Sequence, residues 1–181
     1  MDASSIAPSP APSELTDPKG YQRHLLGLLG DDDPGVAQAE TPGKLRALVA
    51  EAGELLAARP EPGEWSVYGC LAHVADAELV MSGRYRFILA HDEPPLIGYD
   101  QDLWVDRLHG DEGEVDAMLD LFEALRVANL ALWASTSETD RARVGQHAER
   151  GPESLDLSFR MIAGHDRFHI AQARRALRVA P

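Results

Sequence analysis

The 181-residue chain holds one cysteine, Cys70, so no intrachain disulfide can form, which fits a reducing compartment. No apolar run approaches the roughly 18 residues that a membrane span requires, and the first residues lack the basic and apolar regions of a secretory leader. A cytoplasmic protein is expected. Basic residues are scarce, with 17 Lys+Arg against 30 Asp+Glu and a net charge of −13. That sign repels phosphate backbones and anionic lipid, so nucleic acid and membrane are excluded as partners. Glycine-rich phosphate loops, internal repeats and strands with clean alternation are also missing. With sulfur confined to Cys70, any metal site must be mostly nitrogen and oxygen.

What the chain does have is helical patterning. At 44% hydrophobic and 26% charged residues it reads as one globular domain with a tail. Residues 1–15, rich in Ser and Pro, cannot bury enough apolar surface to order themselves and read as a disordered tail. Residues 16–40 read as a short docked helix over 21–29 followed by a linker broken at 31–35, with His24 on the exposed side. Residues 41–181 read as an all-α four-helix bundle. Thr41-Pro42 predicts the start of its first helix, a capping hydroxyl followed by proline at the first helical position. That helix runs to about residue 59 on Leu45, Leu48, Val49, Ala52, Leu55 and Leu56. Ser66 caps a second helix over 67–90, a third covers 114–135, and Ser154 caps a fourth ending near 179. The second and third are joined by a long crossover over 92–113, with an amphipathic piece at 99–108; connections of that length are usually functional.

His165 and His169 stand one turn apart on the fourth helix, at metal-ligand spacing. At about 100° per residue they share a face with Met161, Ile162, Phe168 and Gln172, while Arg160, Arg167, Arg174 and Arg178 lie opposite, where solvent is expected. Polar groups at the centre of a core-facing stripe cost roughly 2–7 kcal/mol each if unpaired. A metal is one shared explanation; three separately hydrogen-bonded histidines are the other. His73 on the second helix also projects inward, and one His facing a His pair is how bundle-core metal sites are assembled. Three protein ligands with open positions mark a catalytic metal. Zn(II) is favoured for imidazole, and Ni(II) and Fe(II) are compatible. Cys70 lies one turn before His73, where it is either a fourth ligand or a small packed residue. Of the nearby carboxylates, Asp76 suits orienting an imidazole or acting as a base, Glu78 suits pairing with an arginine, and Asp166 reads as surface or interface. His91 lies too far along its helix to join His73. His109 and His147 fall in polar loops and read as surface residues able to move over a pocket mouth.

Glu64-Trp65-Ser66, then Leu71-Ala72-His73-Val74-Ala75-Asp76-Ala77-Glu78, Arg84, 95–100 with Trp104, and finally Gly164-His165-Asp166-Arg167-Phe168-His169-Ile170-Ala171-Gln172 resemble the DinB/YfiT-like superfamily over residues 43–179. The resemblance implies a four-helix bundle, frequently dimeric, with a three-His site for one divalent metal at His73, His165 and His169. It also implies use of a low-molecular-weight thiol, since members include bacillithiol- and mycothiol-using transferases and a thiol-dependent isomerase branch.

The expected function is a metal-dependent enzyme, a thiol-dependent transferase or a hydrolase, acting on a small molecule. A non-catalytic metal- or ligand-binding bundle is the alternative, and a purely structural bundle is a third reading. Pocket candidates are Arg84, placed to hold a carboxylate or to pair with an acidic neighbour, Tyr99 and Trp104 as a lid or loop anchor, and Gln172 as a partner of a ligand or of substrate.

Overall fold

A computed structural model describes residues 17–61 and 63–179; the tail expected over 1–15 lies outside them. α1 (Pro18–Leu29) starts on Asp17, whose carboxylate accepts from the Gly20 N–H at 2.9 Å. α2 (Pro34–Ala52) begins earlier than Thr41-Pro42 predicts, and residues 34–40, read as linker, are its first turns. Asp33-Pro34 carries the same start signal as Thr41-Pro42, and Asp33 Oδ1 accepts from the Val36 N–H at 2.8 Å. α2 stops at Gly53, where φ is 52°, and a tighter turn over Gly53–Ala57 replaces the last turns expected up to residue 59.

α3 (Val67–Ala90) is capped by Ser66, whose Oγ accepts from the Gly69 N–H at 3.0 Å. The crossover then carries β1 (Pro95–Leu96), α4 (Gln101–Trp104) and a wide π-helical turn over Val105–His109. α5 (Val115–Ala134) follows, then α6 (Glu138–Arg141), β2 (Val144–His147), β3 (Gly151–Ser154) and α7 (Leu155–Val179). The strands were not expected. Two and four residues are too few for alternation to show in sequence. β2 pairs parallel with β1 and antiparallel with β3, so this small sheet ties the two long connections together.

The bundle is α2, α3, α5 and α7, with α2 and α3 each packed between α5 and α7. Consecutive helices α2 and α3 thus sit at opposite corners. Leu45, Leu48, Leu71, Phe122, Ile170 and Ala173 belong to its main core. α1 lies along α7 on the side read above as solvent-facing. The approach is close: a Cβ on Gly164 would stand 1.9 Å from the Leu25 carbonyl oxygen. Arg167 donates to the Leu28 carbonyl at 2.8 Å and to Asp32 at 2.6 Å, neutralising the carbonyl end of α1. Arg167 therefore serves a helix terminus rather than open solvent.

Behind the His face lies a buried polar network centred on Arg126, which is 0% exposed. Its guanidinium donates to Glu78 on α3 at 2.9 Å, Asp166 on α7 at 2.6 Å and the Gln38 carbonyl on α2 at 3.0 Å. That carbonyl is free because Pro42, four residues on, has no N–H to give it. Thr41 Oγ1 adds a hydrogen bond to Asp166 at 2.8 Å. Asp166 is thus a core residue, contrary to the surface expectation, whereas Glu78 pairs with an arginine as expected. Burial alone would pull the Arg126 guanidinium down, but the two carboxylates raise it overall, so it stays charged.

Removing one partner of a buried ion pair strands the others, at roughly 3–5 kcal/mol. Arg126→Met should lower the unfolding free energy by that amount in chemical denaturation; a loss under about 1 kcal/mol contradicts the clamp. Gly164→Ala should cost about 1–3 kcal/mol by forcing α1 off α7, read as a lower thermal midpoint.

Candidate metal centre

His73 projects from the second turn of α3 and His165 and His169 from the middle of α7. The three imidazoles are 2%, 8% and 3% exposed, and one ring nitrogen from each falls within 4.8 Å of the others. His73 Nε2 and His165 Nε2 stand 2.9 Å apart. Ring centroids are separated by 4.9 Å for His73–His165 and by 4.4 Å for both His73–His169 and His165–His169. Trp65, just before the cap of α3, closes one side, its ring 4.7 Å from His73 and stacked at 5.7 Å on His169. Phe168 meets His169 edge-on at 4.9 Å. Aromatic rings thus line the cluster.

The hydrogen bonds fix what the ring nitrogens can do. His169 Nδ1 lies 2.9 Å from Gln172 Oε1; an amide oxygen only accepts, so Nδ1 carries the proton and Nε2 presents its lone pair. That Nε2 is buried without a partner, as are His73 Nδ1 and His165 Nδ1. Burial pushes all three imidazoles down, His73 and His165 well below the ordinary value and His169 to about 4 against a small upward pull from Gln172. Near pH 7 they are neutral donors. Three neutral imidazoles converge, with His73 Nε2 and His165 Nε2 2.9 Å apart and His169 Nε2 unpartnered, an arrangement that one divalent cation would satisfy better than three independent hydrogen bonds. The all-nitrogen set suits Zn(II) and is compatible with Ni(II) or Fe(II), and three protein ligands would leave a position for an exchangeable one.

The other expected residues fall as follows. Cys70 is buried in the main core and does not join the cluster, and burial pushes its thiol up to about 12. Asp76 orients an imidazole, but it is His109 rather than His73: Nε2 and Oδ2 are 2.8 Å apart, with both side chains mostly buried. The π-helical turn delivers His109 to that partner, so it is half-buried rather than free at the surface. His147 is likewise buried, because β2 carries it into the sheet. His91 is exposed on Phe87, and His24 is half-buried against Phe168. Tyr99 lies over His73 at 6.3 Å, with Trp104 behind it at 4.5 Å, which puts both at the edge of the cluster. Arg84 is buried and meets the Ile97 carbonyl instead of a carboxylate. Gln172 binds a candidate ligand, His169. Trp65 was noted only as part of the Glu64-Trp65-Ser66 motif, and Arg126 and Asn129 were not singled out from sequence, although Arg126 continues the apolar spacing of Leu119 and Phe122, a detectable sign of a buried arginine.

Known proteins resemble this chain in sequence and in fold. A protein of Halalkalibacterium halodurans named "Putative metal-dependent hydrolase" is 26% identical over 137 residues, covering 75% of this chain and 80% of the relative. One of Oceanobacillus iheyensis with the same description is 25% identical over 118 residues, covering 64% and 66% respectively. Among solved structures, YfiT from Bacillus subtilis, described as "a probable metal-dependent hydrolase with an unusual four-helix bundle topology", superposes with a TM-score of 0.76 at 21% identity, covering 81% of this chain and 85% of that one. Residues 38–173, three quarters of the chain and all four bundle helices, match the family pattern, and the protein belongs to the DinB superfamily.

Proposed function

We propose that this protein is a metal-dependent hydrolase of small molecules, with His73, His165 and His169 holding one divalent ion, Zn(II) before Ni(II) or Fe(II). The observation that carries this reading is the convergence of three buried, neutral imidazoles, each offering a ring nitrogen within 4.8 Å of the others. A bound divalent ion there supplies a water nucleophile at neutral pH and polarises a substrate carbonyl or phosphoryl oxygen. The names of the two relatives support hydrolysis.

The chain's own residues do the remaining work. Gln172 holds the tautomer and tilt of His169, the role that orienting partners of ligating histidines play. Trp65 and Phe168 pack their rings against the imidazoles and limit how they can turn. Burial raises the Tyr99 hydroxyl, so it remains a proton donor at the substrate-facing edge. A thiol at the exchangeable position would make the same centre a thiol transferase. Cys70 cannot provide it, being buried and protonated, so such a thiol would be a separate small molecule.

Elemental analysis of the purified protein should find about one equivalent of metal, and His73→Ala should contain none while keeping its helicity; full metal content in the variant removes His73 from the ligand set. Hydrolysis of p-nitrophenyl acetate should fall on chelation and return on reloading, and a rate indifferent to both contradicts the hydrolase reading. Gln172→Ala should weaken metal binding about 10–100-fold, measured by competition with a chromogenic chelator. The metal-free protein should also lose stability in acid. Its imidazoles resist protonation when folded, so between about pH 6.5 and 4 the unfolded chain binds more protons, and each imidazole removes up to about 1.4 kcal/mol per pH unit. Thermal midpoints should decline from pH 7 to 5 and the decline should be shallower in His169→Ala; a flat profile contradicts the burial argument.

A further inference from the structure

The helical core contains two arginines whose charges are treated differently. Arg126 has two carboxylates, as described. Arg84, on the same side of α3 as His73, is 8% exposed and has none within 4.0 Å among the described residues. Its Nε, at 3.2 Å, and its Nη2 converge on one acceptor, the Ile97 carbonyl. Its Nη1 meets only the Met81 thioether, at 3.7 Å. A guanidinium carries five N–H groups, so three of these lack an oxygen acceptor among the described residues. A buried cation with neutral partners is the unfavourable case that a counter-charge relieves.

The surroundings do not supply that counter-charge. Glu153, a carboxylate that acts on Arg84, is already engaged by Arg150 and by Ser158 Oγ at 3.4 Å. Arg150 itself acts on Arg84, and with burial it pulls the Arg84 guanidinium down. Arg150 thus holds Glu153 in a direct ion pair while Arg84 has none among the described residues, in a chain whose net charge is −13. The position connects to the metal centre. Arg84 lies eleven residues after His73, about 16 Å along α3, and a helical side chain leans back toward the helix N-terminus. Tyr99 spans the interval, its ring 6.3 Å from His73 and its hydroxyl within the field of Arg84.

We propose that Arg84 is the receptor for an oxyanion, a carboxylate or phosphate group, carried by a small-molecule substrate whose reacting bond lies at the three-His centre. The anion itself rests on Arg84 alone; that its carrier is a substrate rests on the hydrolase reading above. The unoccupied N–H groups of Nη1 and Nη2 form the planar fork that oxyanions bind in pairs. Tyr99 lines the span between the two ends, so the ligand would be long enough to reach from Arg84 past one aromatic ring.

The probes are phenylacetate, phenyl phosphate and the neutral isostere phenylacetamide, titrated calorimetrically at low ionic strength into the full chain. The titrations use wild type and metal-free His73→Ala, so that a failure of the metal reading leaves the anion site measurable. Binding of either anion to both proteins, with phenylacetamide at least ten-fold weaker, supports the site; tighter phenylacetate assigns a carboxylate and tighter phenyl phosphate a phosphate. Arg84→Gln should lose the anion at least ten-fold, and Arg84→Lys, which keeps the charge without the fork, about five-fold. Equal binding of phenylacetate and phenylacetamide to wild type overturns the proposal even if the variants do not fold. Absence of anion binding to wild type, or anion affinity unchanged in Arg84→Gln, overturns it too and leaves Arg84 as a strap holding Ile97 to α3.

Discussion

One guanidinium touches all four helices of the bundle. Arg126 is carried by α5 and bonds to a side chain on α3, a side chain on α7 and a main-chain carbonyl on α2. A hydrophobic core tolerates sliding and repacking at modest cost, whereas a buried charge with fixed partners does not. The clamp therefore selects one rotation and one depth for each helix. Even the proline inside α2 is part of it, because that proline releases the carbonyl that Arg126 uses.

The three-His cluster inherits its geometry from this clamp. Asp166 directly follows His165, and Glu78 is five residues from His73, so the groups that bind Arg126 sit on the helical turns that carry the imidazoles. Fixing Asp166 and Glu78 fixes which way His165, His169 and His73 point. α1 supports the other side of α7, where Gly164 lets its backbone come close. The polar network and the imidazole cluster are two layers, one pairing buried charges and the other gathering three neutral imidazoles.

Much of this was legible in the residues. The three histidines could be found because each lies on an apolar stripe, and a polar group on such a stripe is conspicuous. The four bundle helices follow from apolar spacing and from the Ser66 and Ser154 start signals. Asp166 was misread because projecting one helix assumes a single buried face, while α7 is covered by α1, α2 and α3 together. The start of α2 was misplaced because Asp33-Pro34 and Thr41-Pro42 offer the same local signal, and only the tertiary use of the Gln38 carbonyl decides between them. The strands were invisible because pairing between distant short segments leaves no periodicity in either. His109 looked like a loop residue because a π-helical turn, whose register differs from an α-helix, is what carries it to Asp76.

In the centre proposed here, three imidazoles form one nitrogen-rich set of ligands with an exchangeable position. X-ray absorption on the zinc-loaded protein reads that directly. It should show three imidazoles, recognised by their outer-shell scattering, and one further light atom, all at about 2.0–2.1 Å. A sulfur shell near 2.3 Å, or a shell of oxygens without imidazole scattering, would contradict the centre described here.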